Sequence, residues 1–190
     1  MTGHRGQRTP DGGHASDSQA VGADVETFML ADDGVFSNNA KLPVLVYRGA
    51  LSAVLADPQA HAQETFAQNH WTGSWVDGIY DFHHYHSTAH EVLAICSGHA
   101  TVQLGGDRAV TLDVTAGDVL VLPAGTAHKR LRSSRDLVVV GAYPQGQHYD
   151  MCYGKEGERP AADCTIAGVP LPPADPLHGP DGPLMKLWKP

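Results

Sequence analysis

Between residues 71 and 143 the apolar positions fall in short β-branched runs: 78–86, 91–96, 100–104, 109–114, 119–122 and 137–143. Glycine-bearing breaks separate them, at Ser97-Gly98, Gly105-Gly106, Ala116-Gly117-Asp118 and Pro123-Ala124-Gly125. Short runs spaced by roughly 8 to 12 residues predict an all-β sandwich or barrel. No helical period lies between them, which disfavours a parallel α/β sheet. Upstream, 25–30 and 44–47 predict a strand pair around an Asp32-Asp33-Gly34 turn. One helix is predicted over 58–68: Asp57 suits the N-cap, Pro58 the first helical position, Phe66 anchors the segment and Asn69 ends it.

The ends of the chain differ from its middle. Residues 1–22 are Gly, Ser, Asp and Arg without an apolar period, and predict a disordered arm. Residues 23–143 are read as the barrel with its strand and helix extension. The remainder, 144–190, holds 9 of the 13 prolines and predicts an irregular, extended segment. Leu171, Leu177, Leu184, Leu187 and Trp188 punctuate it, so it is expected to wrap the barrel rather than float free.

A chain of 190 residues supports one domain with a proper core. Its formal net charge of −8 gives polyanions nothing to bind, so nucleic acid is excluded as a partner. No apolar run approaches the roughly 18 residues of a membrane span. The N-terminus shows no secretory pattern, so a cytoplasmic location is the expectation. The 3 cysteines have no C-x-x-C spacing and are read as reduced. Histidine is the outlier: 12 are present, and His83, His84, His86 and His90 fall together.

That cluster carries the candidate chemistry. Residues two apart on a strand share a face, so His84 and His86 project together, with Tyr80 and Phe82 as cavity wall. Glu91 opens the next strand, and His128 follows the Pro123-x-Gly125 corner. Imidazoles and a carboxylate so placed form a metal trap. Glu91 is a ligand or, if it stays off the metal, a general base. His83 points away by parity, and His90 in the turn is an alternative ligand or a proton-transfer group. Trp71, Trp75 and Cys96 are read as packed. Lys129, Arg130, Arg132 and Arg135 form a basic run on a strand edge. Arg130 and Arg132 share the face of His128 if that strand is regular, where Arg132 would serve catalysis by holding an anionic substrate's carboxylate or phosphate.

The two segments together read G-x5-H-x-H-x4-E-x6-G, at Gly78, His84, His86, Glu91 and Gly98, and G-x5-P-x-G-x2-H, at Gly117, Pro123, Gly125 and His128. In these nine positions the chain resembles the cupin superfamily, and from FHHYHSTAHEVL through VVVGAYPQGQHYD to the proline-rich tail it resembles the single-domain YjlB-like cupins. Arg132 stands where the second motif often has Asn. The resemblance implies a jelly-roll barrel holding one divalent transition metal through His84, His86, Glu91 and His128, and pairing into a homodimer. Iron, manganese, nickel, copper and zinc all suit three nitrogens and one oxygen, with iron or zinc favoured. The expected function is a mononuclear metal-dependent oxygenase acting on a small molecule. The alternatives are a non-redox isomerase or hydrolase, or a non-catalytic metal or metabolite sensor.

Overall fold

The computed structural model describes residues 19–20, 25–51, 56–107 and 109–189. Among the described residues, ten strands make two antiparallel sheets. In the larger, β1 (Gln19–Ala20), β2 (Val25–Phe28), β3 (Val44–Tyr47), β8 (Val119–Leu122), β5 (Glu91–Ser97), β10 (Val138–Pro144) and β4 (Trp71–Asp77) lie side by side in that order. In the smaller, β6 (His99–Leu104) is flanked by β7 (Val110–Thr115) and β9 (His128–Ser133). The expected all-β jelly roll is the observed fold.

The burial pattern explains why some strands alternate and others do not. Strand β7 reads buried-exposed throughout, with Val110, Leu112 and Val114 inward. Strands β3 and β8 are buried at every position because the large sheet is covered on both faces. Its inner side chains, Val44, Val46, Leu93, Ile95, Leu120 and Leu122, meet Val102, Leu104 and Leu112 of the small sheet. Its outer ones, Leu45, Tyr47, Val92, Ala94, Val119 and Val121, pack under Phe66 and Ala62 of α1 (Pro58–Gln68) and under Leu184 and Trp188. Helix α1 has the expected bounds, with Asp57 accepting the Ala60 N–H at 2.9 Å.

Two expectations are corrected, and a third falls mostly outside the described residues. The proline-rich segment wraps the large sheet but is not wholly irregular, because it forms α2 (Ala161–Gly168) and α3 (Pro183–Leu187), each starting beside a proline. Buried Asp175 fastens it, accepting the Tyr47 hydroxyl at 2.6 Å and the Leu184 N–H at 3.0 Å. Second, Trp71–Asp77 is a strand although the run was placed at 78–86. The latter is mostly irregular, with His84 bridged to His128 and Tyr85 to Cys152. Edge pairing with β10 holds β4 despite its polar residues, with a register shift between the Gly141–Trp75 and Tyr143–Thr72 pairs. Third, of the arm at 1–22 only Gln19–Ala20 is described, and these pair with β2; the rest lies outside the described residues. Among the described residues, no helix is long and apolar enough to cross a membrane.

Candidate metal centre

Two corners bring the histidines together. His84 and His128 exchange backbone hydrogen bonds, the His84 N–H reaching the His128 carbonyl at 3.2 Å and the reverse at 2.9 Å. The Gly125 N–H donates to the His86 carbonyl at 2.8 Å. Gly125 adopts φ +90°, and a Cβ there would sit 2.7 Å from the Asn38 carbonyl oxygen, so the corner requires glycine. Glu91 starts β5 opposite Leu122 of β8, directly before the Pro123 turn. The metal-ligating atoms of His84, His86 and His128 all lie within 4.8 Å of one another, and all three residues are buried.

Each imidazole is oriented by the same device. The Nδ1–H of His84 donates to the Phe82 carbonyl at 3.2 Å, that of His86 to the Asp150 carbonyl at 2.5 Å, and that of His128 to the Thr126 carbonyl at 2.9 Å. A carbonyl only accepts, so these partners fix a proton on Nδ1, and in the neutral ring each Nε2 lone pair is free. Metal-ligating histidines are held in this way. Glu91 Oε2 lies 3.4 Å from Nε2 of both His86 and His128, and is buried without a hydrogen-bond partner. A buried, unpartnered carboxylate oxygen is costly unless a cation meets it. Three free nitrogens converging with that oxygen fit a transition-metal ion.

The electrostatics are those of a cation site. Burial pushes the His84 pKa down, with the neighbouring His128 adding to the effect, to about 3, so its ring stays neutral. Burial raises the Glu91 carboxyl pKa, but the charges of His86 and His128 beside it outweigh burial and hold it well below the carboxylate range. Burial likewise opposes charge on His86, and Glu91 outweighs it, lifting that pKa above the ordinary imidazole value.

Above these groups a cavity of about 240 Å³ opens, walled by Trp75, Ile79, Tyr80, Leu93, Tyr143, Tyr149 and Met151 among others. Tyr80 lines it as expected. Phe82, also expected as wall, is not among the lining residues and stacks on Tyr80 with ring centroids 4.9 Å apart. Trp71 is core, its Nε1–H bonded to the Ala174 carbonyl at 2.9 Å. Trp75 is packed against the inner core as expected and also forms part of the cavity wall. Cys96 is packed on the outer face of the sheet.

His90 is not among the ligands. Its Nδ1 accepts the Ala124 N–H at 2.9 Å and its ring packs 4.8 Å from that of Trp188. His83 binds Asp107 at 3.2 Å on the far side. The structure does not bring Arg132 to the site. Its register shifts against β6: Thr101 pairs with Arg132 but Val102 pairs with Arg130, so Leu131 is an extra residue. Such a bulge reverses the alternation assumed for a regular strand. Arg132 therefore points outward, 78% exposed, with Nε donating to the Thr101 hydroxyl at 2.8 Å. Arg130 donates to the Ile79 carbonyl at 3.0 Å and does not line the cavity. Lys129 pairs with Asp107 at 2.9 Å, so the basic run is a solvated edge.

The sequence reading missed Tyr143, Tyr149 and Asp150. Tyr143 alone left a signal, a phenol inside an apolar strand whose hydroxyl needs a buried partner.

Residues 76–140 match a family model described as a cupin domain. The chain is 38% identical over 165 residues to protein YjlB of Bacillus subtilis (strain 168), covering 87% of this chain and 97% of that one. It is similar in structure to an acireductone dioxygenase from Bacillus anthracis, at 16% identity and a TM-score of 0.42, over 58% of this chain and 83% of that one. It is also similar to RmlC from Streptococcus suis, at 12% identity and a TM-score of 0.33, over 93% and 95%. Neither structural likeness bears on the reaction.

Proposed function

The chain belongs to the cupin superfamily, in the group of the Bacillus subtilis protein YjlB, and from its buried polar cluster we propose that it is a mononuclear metal-dependent oxygenase acting on a small molecule. One observation carries the reading: ligating nitrogens of His84, His86 and His128 converge in the wall of an open cavity, with the orphaned Oε2 of Glu91 3.4 Å from two of them. His84, His86, His128 and Glu91 would hold the ion, with iron or zinc favoured by the donor set. A bound iron ion would supply open coordination positions for a substrate oxygen and one-electron chemistry with dioxygen.

The chain's own residues do the rest. Carbonyls of Phe82, Thr126 and Asp150 keep the imidazoles aimed inward. Tyr143 donates to Glu91 Oε1 at 3.0 Å, so the carboxylate presents its other oxygen to the histidines. Leu93 and Ile79 add apolar wall beside the histidines. Outside the candidate ligands, the titratable side chains of the described lining are Asp77, Tyr80, Tyr143 and Tyr149, so a non-redox isomerase or hydrolase is the second reading.

The test is oxygen uptake by anaerobically purified, ferrous-loaded protein across a panel of small aromatic and carbonyl compounds. Substrate-dependent uptake that His86→Ala abolishes supports the reading. Ligand-induced stabilisation of the iron-loaded protein without any uptake would contradict it, leaving a non-redox or binding role.

A further inference from the structure

The charges around the cavity say what kind of molecule it receives. Apart from Glu91 and the three histidines, the one charged residue in its described wall is Asp77. Arg130 is tied behind the wall to the Ile79 carbonyl, and Arg132 lies on the outer face. A carboxylate or phosphate entering the cavity would meet no side-chain counter-ion, and Asp77 would oppose it.

What the mouth does offer is aromatic surface. Tyr80 is 52% exposed, Phe82 42% and Tyr149 49%, unusual exposure for large rings beside a cavity. They are held in two stacks, Tyr80 on Phe82 with centroids 4.9 Å apart and Tyr149 on Tyr143 at 4.8 Å. Tyr80 meets the His84 ring edge-on at 5.1 Å, and Tyr149 meets His86 edge-on at 5.0 Å. A tyrosine therefore stands beside each of two neighbouring histidines, its ring fixed before any ligand arrives. Preordered rings of this kind recognise planar apolar surface at little entropic cost. The cavity volume of about 240 Å³ lies below the range for drug-sized ligands and suits a single ring.

We propose that the cavity takes an uncharged aromatic ring carrying adjacent hydroxyl or carbonyl oxygens, received by Tyr80 and Tyr149 with those oxygens turned toward the histidines. This rests on the reading of the polar cluster as a metal centre, and it replaces the anionic substrate that Arg132 suggested in the sequence.

The test uses zinc-loaded protein and calorimetric titration with three probes. Ortho-hydroxyacetophenone has the ring and no charge; salicylate is its carboxylate counterpart; hydroxyacetone lacks the ring. Each affinity is divided by that probe's affinity for aqueous zinc, so that the ion's own preference for anions cancels. The normalised affinity for ortho-hydroxyacetophenone should exceed both others by about tenfold. The exposed-ring variant Tyr80→Ala/Phe82→Ala should lose about that factor while still binding about one zinc per chain. Equal normalised affinities, salicylate ranking first, or an unchanged variant would overturn the proposal. So would sedimentation showing a wild-type dimer that the double variant dissolves, because the rings would then be covered by a second copy. Failure of zinc to saturate before any probe is added would instead overturn the metal centre itself, and this proposal with it.

Discussion

The hydroxyl of Tyr143 donates to Glu91 Oε1 at 3.0 Å and accepts the indole N–H of Trp75 at 2.9 Å, so one cavity-wall residue holds the carboxylate and is itself held. The pairing separates the two oxygens of Glu91: Oε1 is bonded to the protein and Oε2 is left facing His86 and His128. Tyr143→Phe keeps the ring and removes the link. The variant should fold, bind metal about tenfold more weakly in competition with a chelator, and lose about 1 kcal/mol of stability. Unchanged metal affinity would mean that Tyr143 does not position Glu91.

Gly141 sits beneath Trp75, and a Cβ there would fall 2.1 Å from Cζ2 of the indole. Gly141→Ala must displace the ring and break its bond to Tyr143. The expected cost is about 1 to 3 kcal/mol, read as a lower Tm, with a shifted tryptophan emission. Wild-type Tm and emission would contradict the packing described.

Metal binding should depend on pH through His86. Its pKa is raised in the metal-free fold, so the stability it contributes is fully present below the unfolded imidazole value and is lost as pH rises through the folded one. Glu91 is the opposite case: its pKa is depressed, and its contribution is present above the unfolded carboxylate value and lost as pH falls through the folded one. A metal ion takes the place of the His86 proton. The gain in Tm on adding zinc should therefore be smaller near about pH 5 than near about pH 8, with proton release on binding. A gain independent of pH would contradict the assignment.

Arg132→Ala should leave zinc affinity unchanged and alter stability by no more than about 0.5 kcal/mol, because its partners Thr101 and Asp113 lie on the solvent face. Weakened metal binding would place Arg132 in the cavity after all.

The comparison of sequence with structure turns on which interactions are local. Helix α1 was legible to its ends because Asp57 and Pro58 act on their immediate neighbours. The approach of His84, His86 and His128, with Glu91 beside two of them, was legible because the motif spacing encodes two corners. Arg132 was misplaced because the bulge at Leu131 arises from pairing with β6, which no local pattern announces. Strand β4 went unseen for the same reason, its WTGSWVD run being held by β10. Asp150 orients His86 through its backbone carbonyl, a role that side-chain identity does not reveal. Helices α2 and α3 form between prolines that break the chain without preventing short helical turns.

The central claim is that His84, His86, Glu91 and His128 form one metal centre. Its most direct test is elemental analysis of untagged wild-type protein and His86→Ala, both purified anaerobically from unsupplemented cells. The account predicts about one transition-metal ion per chain in the wild type and almost none in the variant, with the β circular-dichroism signal of the two unchanged. A metal-free wild type, or full occupancy in the variant, would contradict it.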